Sequence, residues 1–141
     1  MGSALLIDKT EQKSRHPRPI ELTPGEIRLI ESETPRWVIF RTGWDHHFGQ
    51  PCYFHNHPGL SPATSRLLTT VPIVGVGLDS PGVDPPGAAS LEIHCQLADA
   101  GRLILENLTG LDQLPVNRFF LIALPLRLAL EAAPVRALAL F

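Results

Sequence analysis

Short apolar runs alternate with helix-starting signals along most of this chain, and that alternation restricts the folds open to it. ALLID at residues 4–8, WVIF at 37–40, PIVGVGL at 72–78 and RLIL at 102–105 are each brief, apolar and strand-like. Between the first two, Thr23-Pro24-Gly25-Glu26 reads as a helix start: threonine can cap, proline suits the first helical position, and Glu26 falls at the capping-box position. That helix carries Ile27 and Ile30 inward and ends before Pro35. Ser61-Pro62 opens a second helix with Leu67 and Leu68 as its packing residues. A third spaces Leu91, His94, Leu97 and Ala98 along one face and stops at Gly101, a residue that tolerates φ > 0. After Glu106 the pattern changes. Residues 118–128 form a long apolar run interrupted by Pro125, which implies a sheet edge or a bulge, and VRALAL at 135–140 reads as a last strand. The fold class expected is α/β, closed by a pair of strands.

Residues 1–141 are expected to form one domain, a length sufficient for a real core. A net charge of −2, from 14 acidic and 12 basic residues, makes no electrostatic case for nucleic acid or an anionic membrane surface. No apolar run approaches the ~20 residues of a membrane helix, and no signal-peptide pattern is visible at Met1-Gly2-Ser3. Cys52 and Cys95 make neither a CxxC pair nor a disulfide framework, so a cytoplasmic location is expected. The 14 prolines fall between periodic segments, where they punctuate a globular domain. The stretch 9–19 reads as a solvated connection, with His16 inert within it.

Chemistry-bearing residues concentrate in three places. His94 on the third helix and Glu106 at the end of the strand after it are 12 positions apart, and a helix folded back on its following strand brings such a pair together. By itself this is weak, since a lone helical histidine is more often a satisfied core or surface residue. Arg41-Thr42-Gly43-Trp44 stands at a strand end, where α/β proteins place functional groups. Trp44 is a candidate for stacking on an aromatic substrate, or else a partly buried loop anchor. WDHHFGQPCYFHNHP then holds His46, His47, His55 and His57. The adjacent pair His46-His47 points apart on any regular backbone, and His55-x-His57 lacks the third ligand of an ordinary zinc spacing. Asp79 and Asp84 read as loop formers, through side chain to backbone bonds, rather than as catalytic groups.

HCQLADAGRLILENLTGLDQLP, with FFLIALPLRL and APVRALAL behind it and RTGW, PGL and D-S-P-x-V-D ahead of it, resembles the cyclase family that includes bacterial kynurenine formamidase. The resemblance covers nearly all of the chain, in order. It implies a swivelling β/β/α arrangement and a metal-dependent amide or ester hydrolase. His94 and Glu106 are then catalytic groups and metal ligands, with Arg41 and Trp44 at the substrate. The metal implied is divalent, zinc or manganese, and the substrate a small N-formyl aromatic amine such as N-formylkynurenine, or a cyclic amide or ester. Two departures stand out. Where the family has a glycine-rich hairpin, this chain has Ala129-Leu130-Glu131-Ala132-Ala133. The family's H-x-G-T-H-x-D segment, source of most metal ligands, has no counterpart here; His55 and His57 are the candidate substitutes. The chain is therefore expected to represent an N-terminally truncated, partial domain. It would work as a homo-oligomer or with a separate N-terminal chain, or persist as an inactive remnant whose role is assembly.

Overall fold

The computed structural model describes residues 1–12 and 18–141; His16 lies outside the described residues. The first four strands are β1 (Gly2–Asp8), β2 (Trp37–Arg41), β3 (Gly75–Leu78) and β4 (Leu103–Leu105), joined through helices α1 (Pro24–Glu33), α2 (Pro62–Thr70) and α3 (Glu92–Asp99). They pair in parallel, with Leu6 opposite Ile39, Ile39 opposite Gly77, and Gly77 opposite Leu105. β5 (Arg118–Pro125) then runs antiparallel beside β1, and β6 (Val135–Leu140) antiparallel beside β5. The six-stranded order is β4-β3-β2-β1-β5-β6.

The helix ends follow the sequence signals closely. At α1 the Thr23 hydroxyl accepts from the Glu26 N–H while the Glu26 carboxylate accepts from the Thr23 N–H, so both orphan donors are satisfied. Ser61 caps α2 in the same position. The α2 exit is closed from outside: the Arg102 guanidinium donates to the carbonyls of Thr69, Val71 and Ile73. α3 ends in a Schellman turn, Gly101 N–H to Ala98 O and Arg102 N–H to Leu97 O, with Gly101 at φ +69°. Its buried residues are Ile93 and Leu97, whereas Leu91 stands outside the helix and exposed. Sequence periodicity thus found α3 and its buried Leu97, but Leu91 and Ala98 are exposed and Ile93 takes the inner position it missed.

Two apolar layers result. Leu5, Ile7, Val38, Phe40, Val76 and Leu78 point from the parallel strands toward the helices, meeting Ile30, Leu68, Ile93 and Leu97. The opposite face, with Ala4, Leu6, Trp37, Ile39 and Leu105, packs on Phe119 and Leu121 of β5 and on Ala137 and Ala139 of β6. β4 and β6 are the two ends of the strand order, yet Leu105 shares a cluster with β5, and one cleft has both β4 and β6 in its walls. The sheet therefore curls over itself, giving sheet on sheet on helix, the β/β/α layering expected. Pro125 stands past the last β1 pairing, at a local sheet edge as expected, although β5 as a whole is an inner strand. β1 reaches only as far as Leu121 along β5, so the missing N–H of Pro125 breaks no ladder bond on that side.

Candidate active site

The carboxyl ends of the parallel strands carry Asp8, Arg41, Asp79 and Glu106, and the loops beyond them meet there. Asp79, immediately after β3, is fully buried and accepts from the Thr42 and Gly43 N–H groups and from the Thr42 hydroxyl. Burial pushes its carboxyl above the ordinary range, with these donors pulling the other way. Its task is to fix the RTGW loop.

His94 and Glu106 are together, as the helix–turn–strand reading expected. The imidazole Nε2 lies 3.0 Å from Glu106 Oε1, both side chains about one-third exposed. They form part of the wall of a cleft of about 490 Å³, shared with Leu103 and Leu105 of β4 and Ala123 and Val135 of the terminal hairpin. Glu106 Oε1 also accepts from the Val83 N–H at 3.2 Å. On its other side His94 presents Nδ1 to Asp84 Oδ2 at 2.5 Å. Asp84, nearly buried, additionally accepts from the Ile93 and His94 backbone N–H groups, at 2.8 and 3.1 Å. It thereby caps α3 from ten residues upstream, a function that neither Leu91 nor Ser90 performs by its side chain.

His57 stands at the edge of this group. Its Nε2 is 3.0 Å from the Asp84 carbonyl, and a Cβ placed on Gly82 would meet His57 Nε2 at 3.3 Å and Glu106 Oε1 at 3.9 Å. Burial pushes its imidazole below the ordinary value, opposed by the Asp84 and Phe54 carbonyls and the Glu106 charge; Nδ1 is buried without a well-formed hydrogen bond. His55 is exposed. His46 is exposed as well, and His47 packs on the Trp44 ring with centroids 4.4 Å apart. Trp44 donates Nε1–H to the Tyr53 carbonyl at 3.0 Å, and Arg41 pairs with Asp8 at 3.1 Å. So the structure joins His94 with Glu106, sets His57 against their loop, and engages Arg41 and Trp44 in local anchoring contacts.

Two participants escaped sequence reasoning. Asp84 read as a loop former, and its position ten residues before His94 was the available signal. Tyr53, 2% exposed, donates its hydroxyl to Asn107 Oδ1 at 2.8 Å and so ties the histidine-rich loop to the residue after Glu106. Nothing in its local sequence indicates this contact, which spans 54 positions.

A divalent metal is testable against these residues. One imidazole nitrogen and one carboxylate oxygen converge on an open edge, with the second imidazole nitrogen held by Asp84. That is suitable ligand chemistry for zinc or manganese. The fit extends to two donors: among the described residues no group of three or more His, Cys, Asp or Glu side chains is arranged to hold an ion.

The acid–histidine–acid group lies at the carboxyl ends of the parallel strands, where α/β sheets bind their ligands. The sequence profile of the family described as putative cyclase matches residues 1–85, and the chain belongs to that family. Over 80 residues it is 48% identical to the kynurenine formamidase of Polaromonas naphthalenivorans strain CJ2, covering 56% of this chain and 35% of that one. It superposes on isatin hydrolase A from Labrenzia aggregata, solved with benzyl benzoate, with a TM-score of 0.79 and 32% identity over 98% of this chain and 60% of that one. A predicted metal-dependent hydrolase from Bacillus stearothermophilus gives 0.72 and 27%, over 98% and 62%. The chain thus spans about a third of the curated relative and about 60% of each solved chain.

Proposed function

We propose that this chain provides the His–Glu part of a metal-dependent hydrolase site that cleaves a small amide, or a cyclic amide or ester, residues 1–141 acting as one partial domain. The observation that carries the reading is the juxtaposition of His94 Nε2 and Glu106 Oε1 at 3.0 Å on an open cleft. The names of the relatives, kynurenine formamidase and isatin hydrolase, support the substrate class: an N-formyl aromatic amine or a ring-closed aromatic amide. Zinc is the metal proposed, with manganese as the alternative, held by His94 and Glu106 and by further ligands from His57 or from another chain. When bound, such an ion supplies Lewis acidity, polarising a carbonyl and making a water acidic enough to ionise near neutral pH. The chain's own residues do the rest. Val83 N–H steadies one Glu106 oxygen, and His94 serves through Nε2 either as a ligand or, unligated, as the group that moves a proton as water adds to the carbonyl carbon and the C–N bond breaks. The amine departs with one proton and the carboxylic acid is released. Arg41 and Trp44 are kept as candidate substrate contacts at the β2 end, and the cytoplasm as the proposed location.

The test is metal content and N-formylkynurenine hydrolysis on the purified chain with zinc or manganese added. Bound metal, together with turnover that falls at least about 100-fold in Glu106→Ala, is the expected result. A chain that neither takes up metal nor turns over substrate would sink the enzymatic reading. It would leave the second one, an assembly subunit, which a specific observation favours: Phe120, Leu124, Leu138 and Leu140 form an apolar outer face on the β5–β6 hairpin, each 42–56% exposed.

A further inference from the structure

The carboxylate of Asp84 is saturated by its own neighbourhood. Oδ1 accepts from the Ile93 N–H, while Oδ2 accepts from the His94 N–H and faces His94 Nδ1. Its main chain is held as firmly. The Val83 carbonyl accepts from the Leu60 N–H, the Asp84 carbonyl meets His57 Nε2, and Gly59 lies so close that a Cβ there would sit 2.6 Å from the Asp84 carbonyl carbon. An ionised carboxylate only accepts hydrogen bonds. Across 2.5 Å, the ring nitrogen facing it must therefore carry the proton. We propose that Asp84 is a positioning residue for His94: capping α3 and binding Nδ1–H with the same carboxylate, it fixes the ring's orientation and, at 2.5 Å and buried against the 3.0 Å from Nε2 to the more exposed Glu106, outcompetes Glu106 for the single proton of the neutral ring.

One carboxylate thus couples backbone and side chain, since the helix cannot shift along its axis without withdrawing the imidazole from its acceptor. The inference gains its functional meaning from the hydrolase reading, but the tautomer itself does not depend on it. Asp84→Asn separates the two. Asparagine caps helices about as well as aspartate, and its oxygen still accepts from the Ile93 N–H, while its NH2 takes the place of Oδ2. Its amide then offers a donor where Nδ1–H used to bond, and the proton is expected to move to Nε2. Asp84→Ala removes the partner outright, and it too should relax the ring toward the Nε2–H form that water favours.

The experiment is long-range ¹⁵N–¹H NMR of the histidine rings in the metal-free full chain, at about pH 9, where an imidazole is neutral. Wild type should show His94 as the Nδ1–H tautomer, and both folded variants as predominantly Nε2–H, with far-UV circular dichroism confirming that α3 persists. Calorimetric zinc titration gives a second reading, with affinity expected to fall about 10–100-fold in Asp84→Asn. A wild-type His94 in the Nε2–H form, or an Nδ1–H form retained in both variants, would overturn the proposal. A wild-type chain that has the expected tautomer yet binds no zinc would remove the metal reading and leave the positioning role of Asp84 standing.

Discussion

Tyr53 is the sole tyrosine of the chain, and its ring is enclosed edge-on by Phe48 and Phe54, with centroids 5.3 and 5.1 Å away. Burial pushes its phenol above the ordinary value, and the charges of Asp79, Asp45 and Glu106 add to the shift. The sign for stability follows. A raised folded value means that the native state holds the proton more tightly, so the contribution is complete below the unfolded value of 10.0 and is lost as pH rises through the folded one. Because no other tyrosine interferes, tyrosinate absorbance reads this group alone. Its native midpoint should lie above 10.0 and return to it in concentrated urea. A native midpoint at the ordinary value would mean that the loop does not bury the ring. Tyr53→Phe leaves Asn107 Oδ1 without its donor and should cost about 1 kcal/mol in urea unfolding.

At the level of elements, the site depends on how closely two loops approach. The segment following His57 runs beside the segment after β3: Ser80 Oγ donates to the Pro58 carbonyl, Leu60 N–H to the Val83 carbonyl, and Gly59 meets the Asp84–Pro85 peptide. Any side chain at Gly59 must push that peptide away, and Asp84 with it. Gly59→Ala should therefore cost about 1–3 kcal/mol, as an overpacking substitution does. Gly25 is the contrast: it sits in the first turn of α1, where a Cβ would find only Thr23 Oγ1, at 3.9 Å. Gly25→Ala should stabilise by about 0.5 kcal/mol, through a less flexible unfolded chain. Urea midpoints of the two variants should move in opposite directions. Equal midpoints would show that the contact between the loops is slack.

For the whole molecule, the curled sheet buries one face of the β5–β6 hairpin and leaves the other apolar and open. β6 is also an edge strand carrying Arg136 as its single charge, with neither proline nor lysine to discourage pairing. Among the described residues no helix is long and apolar enough to cross a membrane, and Cys52 and Cys95 are free. Association through this face is the expected outcome. The wild-type chain should sediment as an oligomer at micromolar concentration, and Leu138→Glu with Leu140→Glu should shift it toward monomer without changing its circular dichroism. A wild type that is monomeric throughout would assign the face to no partner of its own kind.

Local signals were sufficient for whatever depends on near neighbours in the chain. The Thr23–Glu26 box, the Ser61 cap and the Gly101 turn specify helix ends because each rests on hydrogen bonds closed within a few residues, and the apolar runs locate the strands by their composition, though β3 is Gly75–Leu78 rather than the whole of 72–78. The pairing of His94 with Glu106 was legible for the same reason, a helix and its next strand being joined by one tight turn. Only the tertiary structure decided the curl of the sheet, which rests on contacts between strands at opposite ends of its order. It alone assigned Asp84 to the cap of α3, Tyr53 to Asn107 and Asp79 to the RTGW loop. Those bonds satisfy buried polar groups across spans of 9 to 54 residues. Such partners are chosen by which loops the sheet brings to one edge, and no periodicity in the sequence encodes that.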